Sequence, residues 1–357
     1  MKKGLFKRNW GKFVSALLPM VSTVNFFSPS WLATYALTKI GEKMKGYRID
    51  FGHLSISYLS AFIRISDFRL YKVNGTIEEL FISVKSIEVK YSRIDLWNNE
   101  IKCEVKMACP VLNIVMGDGK ADKPEKQMEV SPASLPPIKV SEINITGGQV
   151  NFTDPMIQPP LKLHVGQIDI VGSMLSNIPG PAKTLPGEIE LRASAYDGSL
   201  KVNVKTNFAI SPPLFDMNAE FRMINMVKLN DLFRAYGKFD VSKGSMSLFA
   251  EAASADGRFK GYVKPIIENL QIAGPEDKVE GFWHQLWENL LGATASLLEN
   301  DDDHKEIATK IPFDGTYKDT HLHLGYAVLV VLKNAFISAL RPAIDYEINI
   351  DDVLKRG

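Results

Sequence analysis

The sequence lacks a strong charge imbalance, a disulfide framework and every short motif that marks a common reaction. Lys and Arg number 42 and Asp and Glu 41, for a net charge of +1. That balance removes the basic footprint of a nucleic-acid binder. The aromatic residues are not interleaved with basic patches, which removes the usual pattern of single-strand binding as well. No nucleic-acid partner is expected. The two cysteines, Cys103 and Cys109, sit in one alternating stretch. An extended chain separates their Cα atoms by roughly 20 Å, whereas a disulfide tolerates less than about 7 Å. They are not expected to bridge each other and say little about redox compartment. G-x-S-x-G, H-E-x-x-H and C-x-x-C are all absent, and with them the nucleophile elbow, the zinc-protease helix and the redox pair.

Three weaker patterns can be set against solvated surface. Asp319, His321 and His323 alternate, so a strand would place them on one face, but a metal needs a further ligand and none is evident. Glu299 with Asp301, Asp302 and Asp303 could attract calcium, yet the EF-hand spacing and its glycine are missing. Gly117-Asp118-Gly119-Lys120 lacks the P-loop pattern and precedes a polar stretch rather than a helix. The expectation is therefore no metal, no cofactor and no enzymatic activity.

What is present is alternation. Apolar and polar residues take turns from about Ile49 to Val263, as in Ile87-x-Val89-x-Tyr91, Ile143-x-Ile145 and Leu200-x-Val202-x-Val204. Period two means strands with one wet and one dry face. With 45% hydrophobic and 23% charged residues the chain has a folding composition. Strands are expected near 47–58, 62–72, 78–91, 101–116, 138–153, 161–171, 187–196, 199–210, 214–223, 245–254 and 258–265. Asp197-Gly198 and Asp256-Gly257 read as turns between them. A short helix is expected at 225–236. There is no βαβ rhythm, so an antiparallel meander is favoured over a Rossmann or TIM architecture.

The organisation expected from these patterns has five parts. Residues 1–45 hold a basic flank (Lys2, Lys3, Lys7, Arg8, Lys12), a weak apolar segment and an amphipathic helix at 31–45. Residues 46–116 form the first half of an antiparallel sheet, 117–137 a polar mobile loop, and 138–275 the second half. Residues 276–357 carry amphipathic helices at 279–298 and 326–340 with short strands. The apolar segment, densest over 13–27, is shorter than the roughly 20 residues that span a bilayer and contains Pro19 and Asn25. Three readings stay open for it: an inserted anchor, a helix at the membrane surface, and a buried soluble helix.

Several strings resemble one family. They are Leu135-Pro136-Pro137-Ile138-Lys139-Val140 with Gly148-Gln149-Val150-Asn151-Phe152-Thr153-Asp154-Pro155; Gly261-Tyr262-Val263-Lys264-Pro265; and Ile307-Ala308-Thr309-Lys310-Ile311-Pro312-Phe313-Asp314-Gly315 with Ala339-Leu340-Arg341-Pro342. In these the chain is similar to the AsmA-like proteins of Gram-negative envelopes, in the DUF748 branch. The resemblance implies an inner-membrane anchor, a periplasmic body and a long curled antiparallel sheet with an apolar groove, like the bridge-like lipid carriers. It implies phospholipid, or another acyl-chain lipid, as partner, and the membrane through the N-terminus. The chain departs from the pattern in its weak anchor and its short length.

Val84, Ile114, Ile145, Phe152, Ile170, Leu191, Val204, Phe221 and Leu248 are the candidate lining of such a groove. For each of them an ordinary closed core is the competing reading. That alternative makes the chain a structural or assembly factor of the envelope with a protein partner, docking through helices that carry Trp283 and Trp287.

Overall fold

The computed structural model describes residues 46–57, 60–74, 77–92, 101–115, 137–156, 158, 160–178, 181, 184–207, 209–210, 212, 214–236, 240–273, 306–308 and 311–317. The expected N-terminal segment and helix, the polar loop except Pro137, and the two C-terminal helices lie outside the described residues. So do the Glu299–Asp303 cluster, Gly117–Lys120 and the Asp319, His321, His323 set.

The described chain is mainly β. In order the strands are β1 (Tyr47–Asp50), β2 (His53–Ser57), β3 (Phe62–Asn74), β4 (Ile77–Tyr91), β5 (Ile101–Ala108), β6 (Val111–Val115), β7 (Ile138–Asp154), β8 (Leu161–Ser176), β9 (Gly187–Ala195), β10 (Gly198–Asn207) and β11 (Leu214–Asn225). A 3-10 turn (Met226–Leu229) and helix α1 (Asn230–Tyr236) follow. Then come β12 (Asp240–Ala255), β13 (Arg258–Ala273), β14 (Glu306–Ala308) and β15 (Ile311–Thr316). The expected strands recur with changed bounds. The strand expected over 47–58 is broken into β1 and β2, and that over 101–116 into β5 and β6. The strand expected over 199–210 ends at Asn207, and several others run longer than their alternation suggested. The short helix is found as the 3-10 turn and α1.

All fifteen strands belong to one sheet, in the order β1-β3-β4-β5-β7-β8-β9-β10-β11-β12-β13-β14. β2 shares the β3 edge with β1, β15 shares the β13 edge with β14, and β6 continues β5 between β4 and β7. The sheet is mixed, which corrects the expectation of antiparallel pairing throughout. β5 and β6 both run parallel to β7. A parallel neighbour needs a long connection rather than a hairpin, and more than twenty residues separate Val115 from Ile138. The path holds twelve strand positions; eleven spacings of about 4.8 Å make roughly 53 Å.

A line of left-handed residues crosses the strands. It comprises Asp67 (φ 52°) in β3, Cys109 (φ 49°) between β5 and β6, Gly147 (φ 65°) in β7, Gln167 (φ 51°) in β8, Met223 (φ 58°) in β11, Gly244 (φ 148°) in β12 and Asn269 (φ 52°) in β13. Register shifts accompany those in β7, β8, β11 and β12. An inserted residue of this kind bends its strand and restores the side-chain alternation beyond it. In β7, Ile143 and Ile145 before the bulge therefore share a face with Gly148, Val150 and Phe152 after it. Non-glycine residues held there cost of order 1–3 kcal/mol each, so the surrounding ladder must impose the bend.

The densest packing lies at the β10–β11 and β12–β13 hairpin ends. Val204, Phe215, Met217, Ala252, Phe259, Phe313 and Tyr317 form one buried cluster. The Phe259 ring centroid is 5.1 Å from that of Tyr317 and 6.5 Å from that of Phe313, within the range of favourable aromatic pairs. Burial pushes the Tyr317 phenol pKa up, and the neighbouring Ser254 hydroxyl partly offsets this. At the opposite end of the short β9–β10 hairpin, α1 lies against both β12 and β8. The Asn230 amide fixes it there, donating to the Val241 carbonyl at 2.9 Å and accepting from the Val241 N–H at 2.8 Å.

Candidate functional site: an uncharged sheet face

Residues directly opposite each other in a ladder share a face. Following the register from strand to strand gives one unbroken apolar row: Leu54, Ile65, Ile87, Met107, Ile145, Ile170, Leu191, Val202, Ala219, Ala250 and Val263. A second row runs beside it: Ile63, Val89, Val105, Ile143, Gly172, Ile189, Val204, Met217, Ala252, Gly261 and Phe313. Neither row contains a charged or hydrogen-bonding side chain.

The residues between these rows face the other way. Their row reads Arg64, Glu88, Lys106, Asn144, Val171, Glu190, Asn203, Asn218, Glu251 and Tyr262. Arg64 pairs with Glu88 at 2.8 Å, and the Asn203 amide donates to Asn218 at 2.9 Å. Opposite charges and amides at adjacent positions suit a solvated face. The sheet is thus two-sided, with one wet face and one dry face.

The dry face is not covered in the way a core is. From Ile65 to Val263 every member of the first row is half-buried. Among the described residues, aromatic side chains fill the space at the hairpin ends of β10–β13. The two rows occupy about 14 Å of strand across eleven strands, about 48 Å, which amounts to roughly 650–700 Å², part of it filled by the buried cluster. The largest apolar patch on an ordinary soluble monomer is about 300–600 Å².

Each residue expected to line a groove can now be placed. Ile145, Ile170 and Leu191 are consecutive members of the first row. Val204 lies in the second row and inside the buried cluster, so the closed-core reading holds for it. Phe221 and Leu248 face each other on the next row over. Ile114 faces Phe152 beyond the line of bulges, and Ile114 is 38% exposed. Val84 is 5% exposed, opposite Phe68. The expectation missed Ile65, Ile87, Met107, Val202 and the alanines Ala219 and Ala250, although the same period-two signal marks them.

Among the described residues, no group of three or more His, Cys, Asp or Glu side chains could hold a metal ion. Cys103 and Cys109 are both free. Cys103 is buried, and that burial raises its thiol pKa, which suits a small apolar packing residue rather than a nucleophile. Among the described residues no helix is long and apolar enough to cross a membrane. The fold and the site together define a class: a single-sheet β protein that presents a long uncharged apolar face. No protein-family model matches the chain, and no curated protein matches it.

Proposed function

We propose that the protein is a non-enzymatic component of the cell envelope that holds lipid acyl chains against its apolar face and contributes to lipid transport or outer-membrane homeostasis. In this reading the bends along the bulge line curl the sheet into a groove. The supporting observation is the pair of apolar rows, one of them half-buried along nearly its whole length. A face of that area left in water would drive aggregation, so something apolar must cover it. Acyl chains do so at about 0.8 kcal/mol per buried CH₂. One leaflet of a bilayer is about 15 Å of hydrocarbon, so a groove of roughly 53 Å has room for several chains in succession. The segment 1–45 would anchor the protein in the inner membrane, with the sheet in the periplasm and phospholipid as its cargo.

The test is extraction of the purified full-length protein and mass spectrometry of what co-purifies. Phospholipid in stoichiometric amount is the expected result, and its absence rejects the carrier. Cell fractionation tests the anchor: recovery of the full-length chain in the soluble fraction after lysis refutes insertion. The buried cluster around Phe259 favours a second reading, an assembly factor whose dry face is closed by its own side chains and which binds another envelope protein. That reading predicts a lipid-free protein.

A further inference from the structure

We infer that a concavity on the wet face, built by β8, β9 and β10, binds a singly charged phosphate ester through Lys201 and Arg192. It lies on the opposite face from the apolar rows and does not depend on what covers them.

Gln167, Asp169, Arg192, Ser194, Ser199 and Lys201 line an open concavity of about 380 Å³. Ligand clefts begin at about 300 Å³. The concavity opens beside a bulge in β8. Gly166 pairs with Ser194 and Asp169 with Arg192, so Gln167 and Ile168 together face only Ala193. Such an insertion bends its strand.

Across the β9–β10 ladder Arg192 stands directly opposite Lys201, and Ser194 opposite Ser199. Like charges directly opposite each other destabilise a ladder. Elsewhere on this face opposite signs meet, as in Arg64 and Glu88. Arg192 turns to Glu190 of its own strand, at 2.6 Å. Lys201 makes no ion pair among the described residues. Its other cross-strand neighbour, Glu220, is bonded to Arg222 at 2.9 Å. Asp169 stands on the far side of Arg192, and its Oδ1 accepts from the Gly147 N–H at 2.9 Å. Lys201 is thus a cation held beside another cation, with two hydroxyls and an amide as further donors around the same space. Phosphoryl oxygens accept from such donors, and most strongly from charged ones. Asp169 and Glu190 offset part of the positive charge, so the set suits a monoanionic diester rather than a polyanion.

The test uses full-length protein and dimethyl phosphate, a soluble singly charged diester, titrated calorimetrically at constant ionic strength. Saturable binding is expected. Lys201→Met should weaken it about fivefold, the upper end of what one exposed ion pair contributes. Ser194→Ala combined with Ser199→Ala should weaken it as well. Lys205→Met is the control. Lys205 lies on the same strand and face, but it pairs with Glu188 at 3.8 Å outside the concavity, and its variant should bind as wild type does. All these positions are exposed, and a melting temperature for each variant verifies folding. Phosphatidylglycerol vesicles separate the sources of the ester. Displacement of dimethyl phosphate by the vesicles assigns the site to a lipid headgroup, and binding that they leave unchanged assigns it to a soluble phosphate ester. No saturable binding, or an equal loss in Lys205→Met, overturns the site and leaves the lipid reading of the apolar face standing.

Discussion

Ile145 of β7 stands directly opposite Ile170 of β8, and both are half-buried. Two β-branched residues paired across a ladder normally sit under a second layer. Here they lie mid-way along a row that continues apolar on both sides, to Met107 and to Leu191. The adjacent residue Asn144 faces away, between Lys106 and Val171. One position thus separates the dry face from the wet one.

That adjacency makes a clean comparison. Ile145→Asn places an amide in the apolar row, while Asn144→Ile adds bulk to the solvated face. If acyl chains lie on the row, folded I145N retains much less phospholipid than wild type, because an unpaired amide against hydrocarbon costs about 1–3 kcal/mol. N144I retains as much lipid as wild type. The readout is lipid per protein by mass spectrometry, with circular dichroism to verify folding. Equal retention in the two variants removes the row from the binding face.

The strands were legible because alternation is a local signal. The lengthened ends were not, and the reasons differ. Pro265 reads as the end of a strand, yet β13 runs on to Ala273. Pro265 falls between the stretch of β13 that pairs with β15 and the stretch that pairs with β14. A missing N–H is tolerated at such an edge position. β12 begins at Asp240 rather than near Ser245, because Gly244 and two register shifts break the alternation there. The parallel pairing of β5 and β6 with β7 was hidden because alternation carries no strand direction, and 101–116 reads as one uninterrupted strand through Cys109-Pro110. The chain instead makes a bulge, with the Cys109 N–H donating to the Thr146 carbonyl at 2.8 Å. The left-handed residues Gln167 and Met223 carry no sequence signal, and Asp67 and Asn269 carry only the weak one that Asp and Asn tolerate this conformation; it is imposed by neighbouring strands. The dry face of the site was legible in kind, from alternation alone. Its continuity required the register.

A difference in stability between filled and unfilled parts of the dry face follows from the packing. Phe259 is 1% exposed within the aromatic cluster. Phe259→Ala should cost about 3–5 kcal/mol whether or not lipid is bound. Leu191 is half-buried, and Leu191→Ala should cost about 1–2 kcal/mol in delipidated protein, less than a fully buried leucine. With lipid bound its cost should rise, since the chain completes its burial. Denaturant unfolding of both variants, with and without delipidation, measures this. A Leu191→Ala cost that does not respond to lipid argues for a closed core.

Gly261 offers a test of how closely the β12–β13–β15 edge is packed. A Cβ built there would lie 2.4 Å from the Glu251 carbonyl oxygen and 2.4 Å from the Phe313 ring. The first contact is backbone and cannot turn aside, so Gly261→Ala must shift the strand or displace the ring. The expected loss is about 1–3 kcal/mol, read as a lower urea midpoint with an unchanged slope. A midpoint equal to wild type would mean that Phe313 does not press on β13.

The turn between β9 and β10 supplies a pH dependence on the acid side. The hydrogen bond from Lys228 is the largest cause of a lowered pKa at Asp197, with a second from the Asn225 amide. The folded-state pKa therefore lies below the unfolded value of about 3.9. Stability from this group is present above that value and is lost as pH falls through the folded pKa. The ion pair is half-exposed, so the effect is small and weakened by salt. Lys228→Ala should raise the Asp197 pKa, followed by carbon-detected NMR of the carboxyl. Asp197→Asn should remove this part of the acid dependence, seen as a shallower fall in unfolding free energy between about pH 5 and pH 2. An Asp197 titration that does not move in Lys228→Ala rejects the ion pair as the cause.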